Sequence, residues 1–138
     1  MSDNIINLEN LPCHIDSRGK IQMIFESCDI KSISRIDSLP KTFRARHSHP
    51  DIHWIEVLQG QIEYYHCKDV NNPKPEKFIV NIGDIIFSPP NYFHEMNFDF
   101  FTSFNCYSEL PRDQQNYEKN TVRRLDISLK DIYNNRKY

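Results

Sequence analysis

His47, His49 and His53 lie close together in the stretch RARHSHPDIHWIEVLQG, residues 44–60. Imidazole takes and gives protons near neutral pH and is also the commonest metal ligand. All three sit at odd-numbered positions, and an extended strand sends alternate side chains to one face, so the spacing predicts that they converge. His94 follows downstream as a fourth member. Two chemistries are open to such a set. One is proton transfer by a neutral imidazole. The other is coordination of a divalent transition metal (Zn, Fe, Ni, Cu or Mn) by His47, His49, His53 and His94. The plainer alternative is that these rings are polar lining of a cavity, bonded to water and backbone. His14 and His66 have no such context and read as surface or packing residues.

The scaffold that must position these rings is bounded by length and composition. At 138 residues the chain is one domain's worth, long enough to bury roughly 70% of the surface its unfolded form exposes. With 17 Lys and Arg against 19 Asp and Glu, there is no general electrostatic attraction to nucleic acid or membrane surfaces. Cys13, Cys28, Cys67 and Cys106 form no CxxC pair, and no secretory hydrophobic segment precedes them, which predicts free thiols in a reducing, cytoplasmic setting. The longest apolar-rich run, residues 78–88, is interrupted by Asn81, Gly83 and Asp84, well short of the ~20 residues of a spanning helix.

Short extended segments follow one another with almost no helical periodicity. Strands are expected over residues 20–25, 31–37, 42–46, 53–58, 61–66, 77–81, 85–88, 95–98 and 102–107, with Gly60 turning a hairpin. Residues 70–77, VNNPKPEK, read as an exposed loop. Residues 121–126 offer a further strand, and 129–138 a short helix or a frayed end. This pattern predicts an all-β sandwich or barrel.

The histidines carry a resemblance to a known family. His47-Ser48-His49, then three residues, His53, six residues and Gly60 resemble the first cupin motif, with His53 where the family has Glu. Gly83, then five residues, Pro89, one residue, Asn91, two residues and His94 resemble the second, with Asn91 in place of Gly and Asn97 near the family's terminal Asn. The resemblance implies a single-domain cupin jelly roll over residues 1–138, with its core at about 16–126 and a short C-terminal extension. A homodimer is expected, because a single short jelly roll with exposed apolar strands gains by pairing edges and faces with a second copy.

The flanks are similar to nucleotide-sugar cupins, the 3,5-epimerases and 3,4-ketoisomerases of 4-keto-6-deoxyhexoses in surface-polysaccharide synthesis. They comprise Asp16-Ser17-Arg18-Gly19 and the Arg-rich approach Phe43-Arg44-Ala45-Arg46, while the tail from Leu110 through Arg112, Asp113, Gln114, Tyr117 and Glu118 to Val122-Arg123 resembles a small-cupin subfamily found among capsule and O-antigen biosynthesis proteins. The substrate so implied has acidic protons at C3 and C5. His47 or His49 would be the base and Tyr107 or Tyr92 the acid. A bound metal would instead polarise the carbonyl, with Glu56 or Glu95 as the separate base. Arg18, Arg44 and Arg46 are candidates for the diphosphate, and Trp54 for stacking on the nucleotide base or packing between sheets or subunits. Arg44 and Arg46 have even parity, which turns them away from His47 unless a bulge or a partner intervenes. Other expectations are a metal-dependent dioxygenase or small-molecule isomerase, and a ligand-binding cupin without catalysis.

Overall fold

The computed structural model describes residues 5–26, 29–110 and 119–136. Its strands are β1 (Cys13–Asp16), β2 (Gly19–Gln22), β3 (Ser32–Ser38), β4 (Thr42–Ser48), β5 (His53–Gln59), β6 (Gln61–Cys67), β7 (Glu76–Asn81), β8 (Ile85–Ser88), β9 (Phe93–Phe98), β10 (Thr102–Ser108) and β11 (Val122–Arg123), followed by helix α1 (Leu129–Asn134). Two antiparallel sheets, β3-β10-β5-β8 and β11-β4-β9-β6-β7, stack face to face, and β1-β2 stand apart as a hairpin. From β3 to β11 consecutive strands pass between the sheets except at the β6–β7 hairpin, the order of a jelly roll, so the all-β jelly-roll architecture expected from the motifs is the one found.

Alternation explains the sandwich. On β5, His53, Ile55 and Val57 are buried, and on β10 Phe104 and Cys106 oppose them. Burying these aliphatic and aromatic faces drives the two sheets together. The second sheet is covered on its outer face too: Tyr65, Cys67 and Phe93 pack against Leu129, Ile132 and Tyr133. That is why the second half of β6, from Tyr64 to Cys67, is a continuous run of buried residues, whereas its first half alternates. Gly60 does not close the expected hairpin, since β5 and β6 belong to different sheets; it turns the chain from one sheet to the other at φ +83°, where a Cβ would come within 2.3 Å of the Phe101 carbonyl oxygen, so only glycine fits.

Two expectations change in extent. The strands expected over residues 121–126 and 20–25 are limited to Val122–Arg123 and Gly19–Gln22, and β1 (Cys13–Asp16) forms where no strand was expected. Residues 111–118 of the tail, with Arg112, Asp113, Gln114, Tyr117 and Glu118, lie outside the described residues, as does Cys28.

Candidate active site

The cavity between the sheets, about 220 Å³, is lined by His47, His53, His94, Arg44, Arg123 and Cys106, with apolar residues behind them. Its composition depends on one irregularity in β4. The ladder to β9 pairs Arg44 with Met96 and Ala45 with Glu95, then skips Arg46 and pairs His47 with His94. Ala45 and Arg46 take positive φ, 74° and 59°, the local cost of a bulge that inserts one residue. Parity is reset by that residue. Arg44 and His47 therefore face the same cavity, although strict alternation would separate them.

Arg46, expected to grip a diphosphate, is turned to the other face by the same bulge. Its Nε lies 3.2 Å from Glu95 Oε1, its Nη1 donates to the Leu125 carbonyl at 3.1 Å, and its guanidinium covers the Phe43 ring at 3.7 Å. Arg44 donates to Ser38 Oγ at 2.7 Å and to the Asp37 carbonyl at 2.8 Å, which sets its guanidinium at the cavity rim.

Four imidazoles gather beneath that rim. His47, His49, His53 and His94 are all buried, with ring centroids of 5.0 Å for His47–His49, 4.7 Å for His47–His94, 5.0 Å for His49–His94 and 4.6 Å for His49–His53. The second motif's turn is tied to the first, since Asn91 N donates to the His49 carbonyl at 2.8 Å. Asn91 holds φ 63° where the family's glycine would stand, a conformation asparagine tolerates better than most residues. Burial, followed by the charges of His47 and His49, holds His94 well below the ordinary imidazole range, so its ring is neutral at physiological pH.

His53 differs from the rest. Its Nε2 lies 2.9 Å from Asp51 Oδ2 in a buried pair, and Asp51 Oδ1 also accepts from Leu110 N at 3.2 Å. Burial alone would lower the His53 pKa. The Asp51 carboxylate and the Cys106 sulfur reverse that and hold it at about 9, so the ring is an imidazolium at neutral pH. Burial likewise opposes the Asp51 charge, and the His53 hydrogen bond outweighs it, leaving the carboxyl below its usual value of 3.8.

A pH dependence of stability follows from the pair. His53, at about 9 when folded against 6.5 unfolded, contributes stability that is full below pH 6.5 and is lost as pH rises through 9. The Asp51 contribution is present above 3.8 and is lost as pH falls. Urea unfolding should show stability declining by on the order of 3 kcal/mol between pH 6.5 and 9. Asp51→Asn should flatten this slope, and an undiminished slope in that variant would refute the assignment.

The structure separates several residues that the sequence grouped. Tyr107 and Trp54 are on the outer face of the β3-β10-β5-β8 sheet, because they alternate with the inward Cys106 and His53. Tyr107 donates to Glu56 Oε1 at 2.6 Å, and Trp54 stacks on Phe25 at 5.3 Å. Neither reaches the histidine cavity in this chain, so Tyr107 is not placed to act as the acid beside His47 or His49. Tyr92 contributes its carbonyl to His94 Nδ1 at 3.1 Å, and its ring lies against His66. Arg18 is at the hairpin tip, paired with Asp16 at 2.7 Å and 85% exposed in its side chain. Glu56 is spent on Tyr107, and Glu95 is buried under α1, so neither alternative base faces the cavity. His66, too, is a buried packing residue, bonded to Tyr64 Oη at 3.3 Å and Glu76 Oε1 at 3.3 Å.

The sequence reading missed Asp51 and the site role of Arg123. Asp51 carried a usable clue, a carboxylate two residues before a motif histidine. Arg123 carried none, because its contact with His47 Nδ1, at 3.4 Å, spans 76 residues.

Among the described residues, His47, His49 and His94 can hold a metal ion, their ligand nitrogens lying within 4.8 Å of one another. His53, whose Nε2 is paired with Asp51 at 2.9 Å, is not in this set, which holds three of the four expected histidines. No carboxylate offsets a dication within the set. The Arg123 guanidinium also sits on His47 Nδ1, adding positive charge and fixing the ring proton on Nε2, which is then no ligand atom. This donor arrangement suits a metal poorly.

The TehB-like domain family matches residues 32–105, more than half of the chain. No curated protein matches it. Among solved structures it is similar to a 3,4-ketoisomerase from Helicobacter canadensis, with TM-score 0.67 and 20% identity over 94% of this chain and 96% of that one. It is similar also to the WlaRB TDP-quinovose 3,4-ketoisomerase from Campylobacter jejuni, with TM-score 0.68 and 20% identity over 91% and 96%. A dTDP-4-dehydrorhamnose 3,5-epimerase from Sulfolobus tokodaii gives TM-score 0.61 and 15% identity over 79% and 70%. At these identities the likeness establishes the fold. No helix among the described residues is long and apolar enough to cross a membrane.

Proposed function

The chain belongs to the TehB-like domain family, and on that premise we propose that it is a nucleotide-sugar isomerase, a 3,4-ketoisomerase or 3,5-epimerase of a 4-keto-6-deoxyhexose nucleotide in surface-polysaccharide synthesis. The observation that carries this reading is the pair of buried rings, His47 and His94, 4.7 Å apart in a cavity rimmed by Arg44 and Arg123. A ketone at C4 acidifies the neighbouring C–H bonds, and a neutral imidazole is the base such a proton requires. The cavity, about 220 Å³, is smaller than the ~300–1,000 Å³ of typical ligand pockets. It therefore takes the sugar ring and leaves the nucleotide outside. The diphosphate then falls near the rim, where the Arg44 guanidinium offers donors that match phosphate oxygens.

Incubation in D2O with 4-keto-6-deoxyhexoses carried on different nucleoside diphosphates should wash deuterium into C3 or C5. Absence of exchange with every nucleotide tested would refute the isomerase reading, and sugar binding without exchange would make the chain a ligand-binding cupin. The second reading, a metal-dependent cupin enzyme such as a dioxygenase or small-molecule isomerase, has the His47, His49 and His94 cluster in its favour. Stoichiometric transition metal in protein purified without a His tag, with activity lost on chelation, would establish it in place of the first.

Free thiols at Cys13, Cys67 and Cys106 support a reducing, cytoplasmic location. The exposed outer groove lined by Phe25, Ile33, Trp54 and Tyr107 supports a homodimer, since a second copy would cover it.

A further inference from the structure

We infer that Arg123 is a positioning residue that divides the proton-transfer work between two adjacent histidines, holding His47 as the donor and leaving His94 as the acceptor. This rests on the isomerase reading and names the roles within the same site. The argument is one of hydrogen-bond direction. A guanidinium only donates, so the contact at 3.4 Å between Arg123 Nη1 and His47 Nδ1 requires that nitrogen to accept. Neutral His47 then carries its proton on Nε2. A carbonyl only accepts, so His94 Nδ1, 3.1 Å from the Tyr92 oxygen, carries its proton there and has its lone pair on Nε2. His49 is held in the His94 tautomer by the Asp51 carbonyl at 3.2 Å. Cross-strand pairing of Arg123 with His47, and of His47 with His94, places all three side by side.

The chemistry closes on these tautomers. His94 Nε2 takes the C3 proton and becomes an imidazolium, while the His47 Nε2 proton passes to O4, giving the 3,4-enediol. The negative charge left on the His47 ring is held by the Arg123 guanidinium. That ring then takes the O3 proton back as the imidazolium of His94 returns its proton to C4, so the ketone moves from C4 to C3 and both histidines recover their starting forms. Because one wall supplies both rings, proton removal and return occur on one face of the sugar. Within the proposed function this favours 3,4-ketoisomerisation over 3,5-epimerisation, which needs protons handled on both faces.

Long-range proton–nitrogen NMR of the ligand-free chain, assigned with His47→Asn, should show His47 with its proton on Nε2 and His94 with its proton on Nδ1. Arg123 is exposed, so Arg123→Met should fold, and it should lower kcat about ten- to hundredfold with KM little changed. The same substitution in the His47→Asn background should cost nothing further, since both act through one ring, and Arg123→Lys should recover much of the rate. A wild-type His47 proton on Nδ1, a rise in KM alone, or additive losses in the double variant would overturn the role of Arg123, the last two pointing to a diphosphate grip instead. If no sugar is turned over, the isomerase reading falls and takes the division of roles with it, while the tautomers remain measurable without substrate.

Discussion

His47→Asn should lower both isomerisation of the 4-keto sugar and deuterium wash-in by about 10²–10⁴-fold, the range that a positioned acid–base group supplies. The expectation rests on location as much as residue type. His47 is buried, lies 4.7 Å from His94 across the β4–β9 ladder, and faces the cavity together with Arg44 and Arg123. Asparagine keeps a polar group of smaller size and removes the titratable ring, so the loss should appear in kcat more than in KM. His14→Asn is the matched control, because His14 is an exposed hairpin residue bonded to Asp16. Equal exchange in His47→Asn and wild type, with the fold intact by urea titration, would remove His47 from the chemistry.

The second large effect falls on stability. Glu95 is fully buried, and its two oxygens serve four partners: Arg46 Nε at 3.2 Å, Leu129 N at 2.9 Å, Asn97 Nδ2 at 2.8 Å and Ser128 Oγ at 3.4 Å. It therefore joins the β4 bulge, the middle of β9 and the start of α1. Glu95→Ala strands the Arg46 guanidinium, 18% exposed in its side chain, and should cost about 3–5 kcal/mol, the usual result of breaking a buried ion pair from one side. Replacing both partners with apolar groups, Arg46→Met with Glu95→Leu, should recover part of that loss, because no unpaired charge remains. If the double variant is as unstable as the sum of its parts, the ion pair is not what joins these elements.

How much of this was legible in the chain depends on range. The strands over residues 53–58 and 61–66 come from short-range alternation, and the structure keeps them nearly unchanged; the Gly60 turn between them was legible, but not that it passes the chain to the other sheet instead of closing a hairpin. The second histidine motif was legible because its turn chemistry is local: Asn91 takes the positive φ that the pattern demands. Of the two arginines expected at the diphosphate, the bulge keeps Arg44 on the cavity side and turns Arg46 to the other face, and no residue type announces that bulge. Tyr107 and Trp54 were chosen for their chemistry, yet alternation against Cys106 and His53 puts them outside.

Histidine spacing, two turn motifs and strand alternation by themselves determined that this chain is a jelly roll with a cluster of imidazoles at its centre. Those features act over a few residues, where covalent geometry and pleat leave little choice. Only the tertiary structure decided which group meets each ring nitrogen, the Arg123 guanidinium at His47, the Tyr92 carbonyl at His94 and the Asp51 carboxylate at His53. The Arg123 contact, 76 residues from His47, is brought to hydrogen-bond distance by sheet pairing. Protonation and tautomer follow from whichever group packs against each nitrogen, and that is settled by the assembled fold rather than by residue identity.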